Sequence, residues 1–116
     1  MSPPTGGWEV RRKRGDAASL HAEPLPDHPG RAVWVLEATA QALVLGSTQG
    51  DDLVDRAAAA ARGAEVARRR SGGGVVWVDP ATTVWVDVIV PAGDALWDSD
   101  IGRAAHWLGL VWRSAL

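Results

Sequence analysis

The chain of 116 residues contains no cysteine, no phenylalanine and no tyrosine, and its only lysine is Lys13. Without cysteine there is no disulfide, no thiolate zinc site and no cysteine acyl-enzyme, and the composition suits a reducing, cytoplasmic setting. Any reaction that needs a lysine in its site has Lys13 alone to draw on. No apolar run approaches the ~20 residues of a membrane span, and Met1 to Gly7 lacks the basic-then-apolar pattern of an export signal. No membrane is therefore expected as a partner. Nor is nucleic acid, because phosphate binding wants a basic surface and the net charge is -2. His21, His28 and His106 are too scattered for a metal-ligand pattern and read as surface or helix-packing residues.

What is present suits one globular domain spanning residues 1–116. The hydrophobic fraction is 47%, and the basic residues other than Lys13 are all arginine. Residues 1–7 read as a loose tail of Pro and Gly. Trp8 to Arg11 alternates apolar and polar, which predicts a short strand with one covered face. The cluster Arg11-Arg12-Lys13-Arg14 reads either as a patch for an acidic partner or as a solvated strand end. Asp16 can cap one or two helical turns through His21, and Pro24, Pro26 and Pro29 force an irregular connection up to Gly30. Ala32 to Glu37 and Ala42 to Gly46 are apolar at nearly every residue, which predicts central strands covered on both faces.

A polar loop, Gly46 to Gly50, then leads into a helix. Asp51, Asp52 and Asp55 lie in its first turns, Arg62 in its last, and Gly63 is placed to stop it. Leu53, Val54, Ala57, Ala58 and Ala61 form its expected buried stripe. Ala64 to Arg68, Gly74 to Asp79 and Thr83 to Val90 follow as strands. The last sets Val84, Val86, Val88 and Val90 on one face and Trp85, Asp87 and Ile89 on the other. From Asp98 to Leu116 the pattern turns helical, with Ile101, Ala104, Ala105, Leu108, Val111, Trp112 and Ala115 on one side and Asp98, Ser99 or Asp100 as the cap. The tight Gly-rich link and the short Asp79-to-Thr83 link favour antiparallel neighbours. The fold class is therefore α+β, a mixed and largely antiparallel sheet with packed helices.

The stretch that carries most chemistry is Arg68-Arg69-Arg70-Ser71-Gly72-Gly73-Gly74-Val75-Val76-Trp77-Val78-Asp79. Successive glycines let backbone N–H groups converge, because glycine tolerates φ > 0 and has no Cβ in the way. Such a concavity binds phosphate or carboxylate, and flanking guanidinium groups strengthen it. The plainer reading is a Gly-rich hairpin loop beside a solvated arginine run. The motif is not a Walker A loop, since Val75-Val76 stand where Lys-Ser/Thr is required, and no helix follows it. A nucleophilic role for Ser71 lacks the G-x-S-x-G elbow.

The same stretch resembles the R-R-x-S/T-G-G-G-A-V-x-H-D signature of lipoate–protein ligases, and Leu43-Val44-Leu45-Gly46-Ser47-Thr48-Gln49 resembles their L-V-L-G-x-x-Q segment, one helix upstream. The resemblance runs from about Trp8 to Leu116 and covers the N-terminal part of that family's catalytic domain. It implies a fold like the class II synthetase catalytic domains, here incomplete. It also implies ATP- and Mg²⁺-dependent activation of lipoate or octanoate to an acyl-adenylate, followed by attack from a lysine of an apo lipoyl domain or of glycine-cleavage H protein. By position, Arg69 and the backbone of Ser71, Gly72, Gly73, Gly74 and Val75 would contact the carboxylate or phosphates, Gly46, Ser47, Thr48 and Gln49 would line the acyl pocket, and Asp79 would supply a polar contact.

Three positions depart from the family pattern. Val78 replaces its histidine, Thr82 replaces its asparagine, and the later K-I-S/G-G-like segment with the family's catalytic lysine is absent from this sequence. Lys13 lies outside the matching motif, so no residue here is assigned a catalytic role and little ligase activity is expected. The alternative function is a binding module that holds an acyl-adenylate or completes a partner subunit.

Overall fold

The six strands form two three-stranded sheets rather than one. The structure is a computed structural model and describes residues 7–116; the expected tail, Gly7 apart, lies outside the described residues. In the first sheet, β2 (Ala32–Ala38) runs between β1 (Glu9–Gly15), to which it is parallel, and β6 (Trp85–Ile89), to which it is antiparallel. In the second, β3 (Ala42–Leu45) lies between β4 (Glu65–Arg68), parallel, and β5 (Val76–Val78), antiparallel. The α+β class with mixed sheets holds.

Two details of the expected pairing do not. The Gly-rich link joins β4 to β5, which are not neighbours because β3 separates them, and the Asp79-to-Thr83 link joins strands of different sheets. Short links favour hairpins when both strands are free to pair; here the apolar β3 takes the middle place.

As expected, β2 and β3 are the central strands. Their cover differs from expectation, for β2 buries Ala32, Trp34, Leu36 and Ala38 on one face and leaves Glu37 exposed on the other. β3 buries Ala42, Val44 and Leu45. The short helix α1 (Ala17–Ala22) lies against both sheets. Its Ala17 joins the cluster of Ala38, Ala42, Val44, Ala67 and Val78, and its Leu20 joins Ala32, Trp34 and Leu36. Trp85 packs against both clusters. Asp16 does hold the N-cap position of α1, but its side chain makes no cap; the Ala17 N–H donates instead to the Glu65 carboxylate of β4. The expected cap is thus replaced from across the sheet.

The helix expected over 51–62 is interrupted. A 3-10 turn covers Asp51–Leu53, Val54 is extended, and α2 (Arg56–Ala61) starts anew from Asp55, whose Oδ1 accepts from the Ala58 N–H at 3.0 Å. The expected stripe is therefore wrong. Ala59 is the buried residue of α2, while Leu53, Ala57, Ala58 and Ala61 are exposed and Val54 is half-buried. Asp55 accounts for the break, because an acceptor three residues before a free N–H favours a cap over a helix interior.

α3 (Ile101–Ala115) has Asp100 as its cap, Oδ1 accepting from the Arg103 N–H at 2.9 Å. No residue of α3 is buried, and Ile101, Val111 and Trp112 of the expected apolar side are exposed. The segment before it is anchored by a two-pronged ion pair, Arg31 donating to both Asp94 oxygens at 2.7 Å, which holds the Asp94 carboxyl down to about 2. Among the described residues no helix is long and apolar enough to cross a membrane.

Candidate functional site

The Gly-rich corner and the loop after β3 fold onto each other. Gly46 is buried, and a Cβ placed on it would lie 2.1 Å from the Gly73 carbonyl oxygen. Only a residue without a side chain permits that approach. The Ser47 N–H donates to the Ser71 carbonyl at 2.9 Å, and the Gly46 N–H to Gln49 Oε1 at 2.9 Å. Of the three corner glycines only Gly73 has positive φ, at 108°.

The arginine run is exposed at Arg68 and Arg70, yet all three arginines are bonded to backbone carbonyls. Arg68 reaches back to the Gly46 and Gln49 carbonyls, at 2.9 and 2.6 Å, and pairs with Asp51. Arg69 donates to the Val44 carbonyl at 3.2 Å and to those of Gly72 and Gly74 at 2.9 and 2.8 Å. Arg70 donates to the Glu23 carbonyl at 2.8 Å. A planar fork of donors suits such a set of carbonyls, which an ammonium could not span. The arginines tie down the carbonyls of the corner, while Ser71 to Gly74 are exposed and, among the described residues, none of their N–H groups has an acceptor.

In front of the corner lies a two-armed cleft. One arm, of about 470 Å³, carries Arg70, Ser71, Glu23 and Asp87 among apolar neighbours. The other, of about 250 Å³, lies between the sheets and is lined by Val44, Val76, Val78, Val84 and Trp85. His21, Arg69 and Val86 line both and so form the junction. His21 stacks on Trp85, ring centroids 4.4 Å apart. Burial pushes its pKa below the usual histidine value; Asp87 pulls it back up, and Arg69 and Arg70 push it down. An imidazole so placed is neutral at pH 7.

Of the residues singled out in the sequence, the structure places Arg69 and Ser71 on the cleft, while Gly72 and Gly74 are tied to Arg69 through their carbonyls and line neither arm. Gly46 to Gln49 form the other half of the clasp and line neither arm. The apolar arm is built instead from the strands. Val75 is exposed beside the corner. Asp79 is tied off, its carboxylate accepting from Gln41 at 3.0 Å and from the Ala81 N–H at 2.8 Å.

Sequence reasoning missed His21, Asp87 and Trp34, which reach the cleft from three different elements. Lys13 also comes to its rim, 4.4 Å over the Trp34 ring and ion-paired with Glu23. Among the described residues no set of three His, Asp or Glu side chains converges to hold a metal.

The family described as the lipoyl protein ligase A/B catalytic domain matches residues 19–108. That span takes in His21, the Gly46 clasp, the corner and both arms of the cleft. The chain belongs to that family. No curated protein and no solved structure matches it. Within this lipoyl ligase family member the clasp depends on Arg69, and Arg69→Lys is expected to cost about 1–2 kcal/mol, since one ammonium cannot serve all three carbonyls. Equilibrium urea unfolding measures this; an unchanged midpoint and slope would show that the fork is not what holds the corner.

Proposed function

We propose that this chain holds a lipoyl- or octanoyl-adenylate in the two-armed cleft. The acyl tail occupies the apolar arm between the sheets, and the phosphate lies against the N–H groups of Ser71 to Gly74. The observation that carries this reading is a run of exposed N–H groups without acceptors, Ser71 to Gly74, that begins at a cleft whose far arm is walled by valines and Trp85. Charge developing at a phosphate or carboxylate is best stabilised by such fixed donors, which need no reorganisation. The reaction this supports is the family one: ATP activates lipoate or octanoate, and a lysine of an apo lipoyl domain or of glycine-cleavage H protein takes the acyl group. No lysine side chain points into the cleft to assist the ATP-dependent step, because the ammonium of Lys13 is held at the rim by Glu23. The isolated chain should therefore form the adenylate poorly while still binding it.

The uncovered apolar side of α3 favours a second reading, a module that completes a partner subunit. Thermal-shift titration separates the outcomes. A non-hydrolysable lipoyl-adenylate should stabilise the chain, by about 2.7 kcal/mol at a hundredfold excess over Kd, and ATP alone should not. No shift with either would sink the adenylate reading. Robust turnover of lipoate and ATP would show instead that the chain needs no further lysine.

A further inference from the structure

We infer that His21 is the proton acceptor for acyl transfer at the junction of the cleft, taking the proton from the attacking amine. This rests on the adenylate reading above and adds a residue to it. The two arms differ in chemistry and share only His21, Arg69 and Val86. An acyl-adenylate with its tail in the apolar arm and its phosphate at the corner has its carbonyl carbon where the arms meet. Two polar side chains stand there. Arg69, already fixed by the carbonyls of Val44, Gly72 and Gly74, faces the developing oxyanion with a cation. His21 is oriented by its stack on Trp85, and among the described residues neither of its ring nitrogens has a hydrogen-bond partner. An oriented imidazole with a free ring nitrogen at a reacting carbon is the usual form of a general base.

The step balances without a cofactor. A neutral amine attacks the acyl carbon and the N–C bond forms. The C–O bond to the adenylate phosphate breaks, and AMP leaves with the electron pair. The proton lost by nitrogen passes to His21 and then to solvent. The groups around His21 fit this role. Burial, with Arg69 and Arg70 behind it, disfavours the charged form of the resting ring, Asp87 of β6 steadies the imidazolium as it forms, Lys13 of β1 and Glu23 neutralise each other at the rim, and Glu65 of β4 is engaged at the other end of α1.

The test uses the full chain, octanoyl-adenylate, and methoxyamine as a nucleophile that stays neutral across the pH range. The chain should accelerate amide formation over the uncatalysed rate, and the rate should fall as pH drops through a single ionisation below 6.5. His21→Gln should lower the rate at saturating octanoyl-adenylate about a hundredfold and abolish that pH dependence. His21→Ala should regain rate when imidazole is added, which a merely structural histidine would not permit. Three results would overturn the inference while leaving the binding reading intact: tight binding without acceleration, an unchanged pH profile in His21→Gln, or no rescue by imidazole. If the variants do not fold, the pH profile of the unaltered chain decides, and a rate that does not fall below pH 6.5 counts against His21. Failure to bind octanoyl-adenylate at all overturns the adenylate reading itself and the role of His21 with it.

Discussion

Gly46→Ala is expected to destroy the corner. The new methyl group would lie 2.1 Å from the Gly73 carbonyl oxygen, 3.0 Å from its carbon and 3.2 Å from its nitrogen. All three are backbone atoms, so no flexible side-chain end can move aside. Gly46 cannot retreat either, because its carbonyl is held by Arg68 and its N–H by Gln49. Overpacking against fixed neighbours costs about 3 kcal/mol or more, a large share of the 5–15 kcal/mol that holds a typical domain together. Adenylate binding should vanish with it. Gly72→Ala and Gly74→Ala serve as controls, since a Cβ at either position meets nothing within 4 Å and neither residue has positive φ. Each should cost under about 1 kcal/mol. Urea midpoints that are equal for Gly46→Ala and Gly72→Ala would refute the contact between the two loops.

Trp85→Ala should be comparably severe for a different reason. Removing a large aromatic side chain from a packed site costs about 3–5 kcal/mol, and Trp85 packs against the buried clusters of both sheets. Being half-buried, it should fall near the lower bound, about 3 kcal/mol. The loss should also reduce cooperativity, because α1 would then be the main remaining bridge between the sheets. Trp85→Phe keeps the ring and loses the indole N–H bond to Asp87, 3.2 Å long, at a cost of about 1 kcal/mol. Urea unfolding followed by circular dichroism tests both. A loss below 1 kcal/mol for Trp85→Ala would mean that the sheets are joined elsewhere.

The strands were legible because their signal is local. Val33-Trp34-Val35-Leu36 and Leu43-Val44-Leu45 are too apolar for any place but the middle of a sheet, and both occupy it. The cluster of glycines at 72–74 likewise announced a sharp corner. Partner choice was not legible, because nothing in residues 68–79 says that β3 lies between the strands they join. The helix over 51–62 was misread for a related reason. Acidic residues in a first turn suit the helix dipole, but Asp55 suits a cap equally well, and the structure uses it so. In the candidate site, the arginines were visible and their direction was not. Guanidinium groups beside glycines suggest a ligand contact, and the structure adds that they hold backbone carbonyls. His21 shows no metal-ligand spacing with His28 and His106, and its position comes from α1 packing across two sheets. The pairing of a short helix with Trp85 across more than sixty residues leaves no periodicity to read.

The place of β3 between β4 and β5 has a kinetic consequence. A hairpin can zip from its turn within about 1–10 μs, needing only the residues beside it. Here the corner has nothing to zip, for its two flanking strands never pair with each other and each must first find β3. Loop-closure entropy therefore has to be overcome twice before Gly73 meets Gly46. The Gly-rich corner should accordingly be among the last features to form during refolding, and any ligand capture there should lag behind the recovery of tryptophan burial.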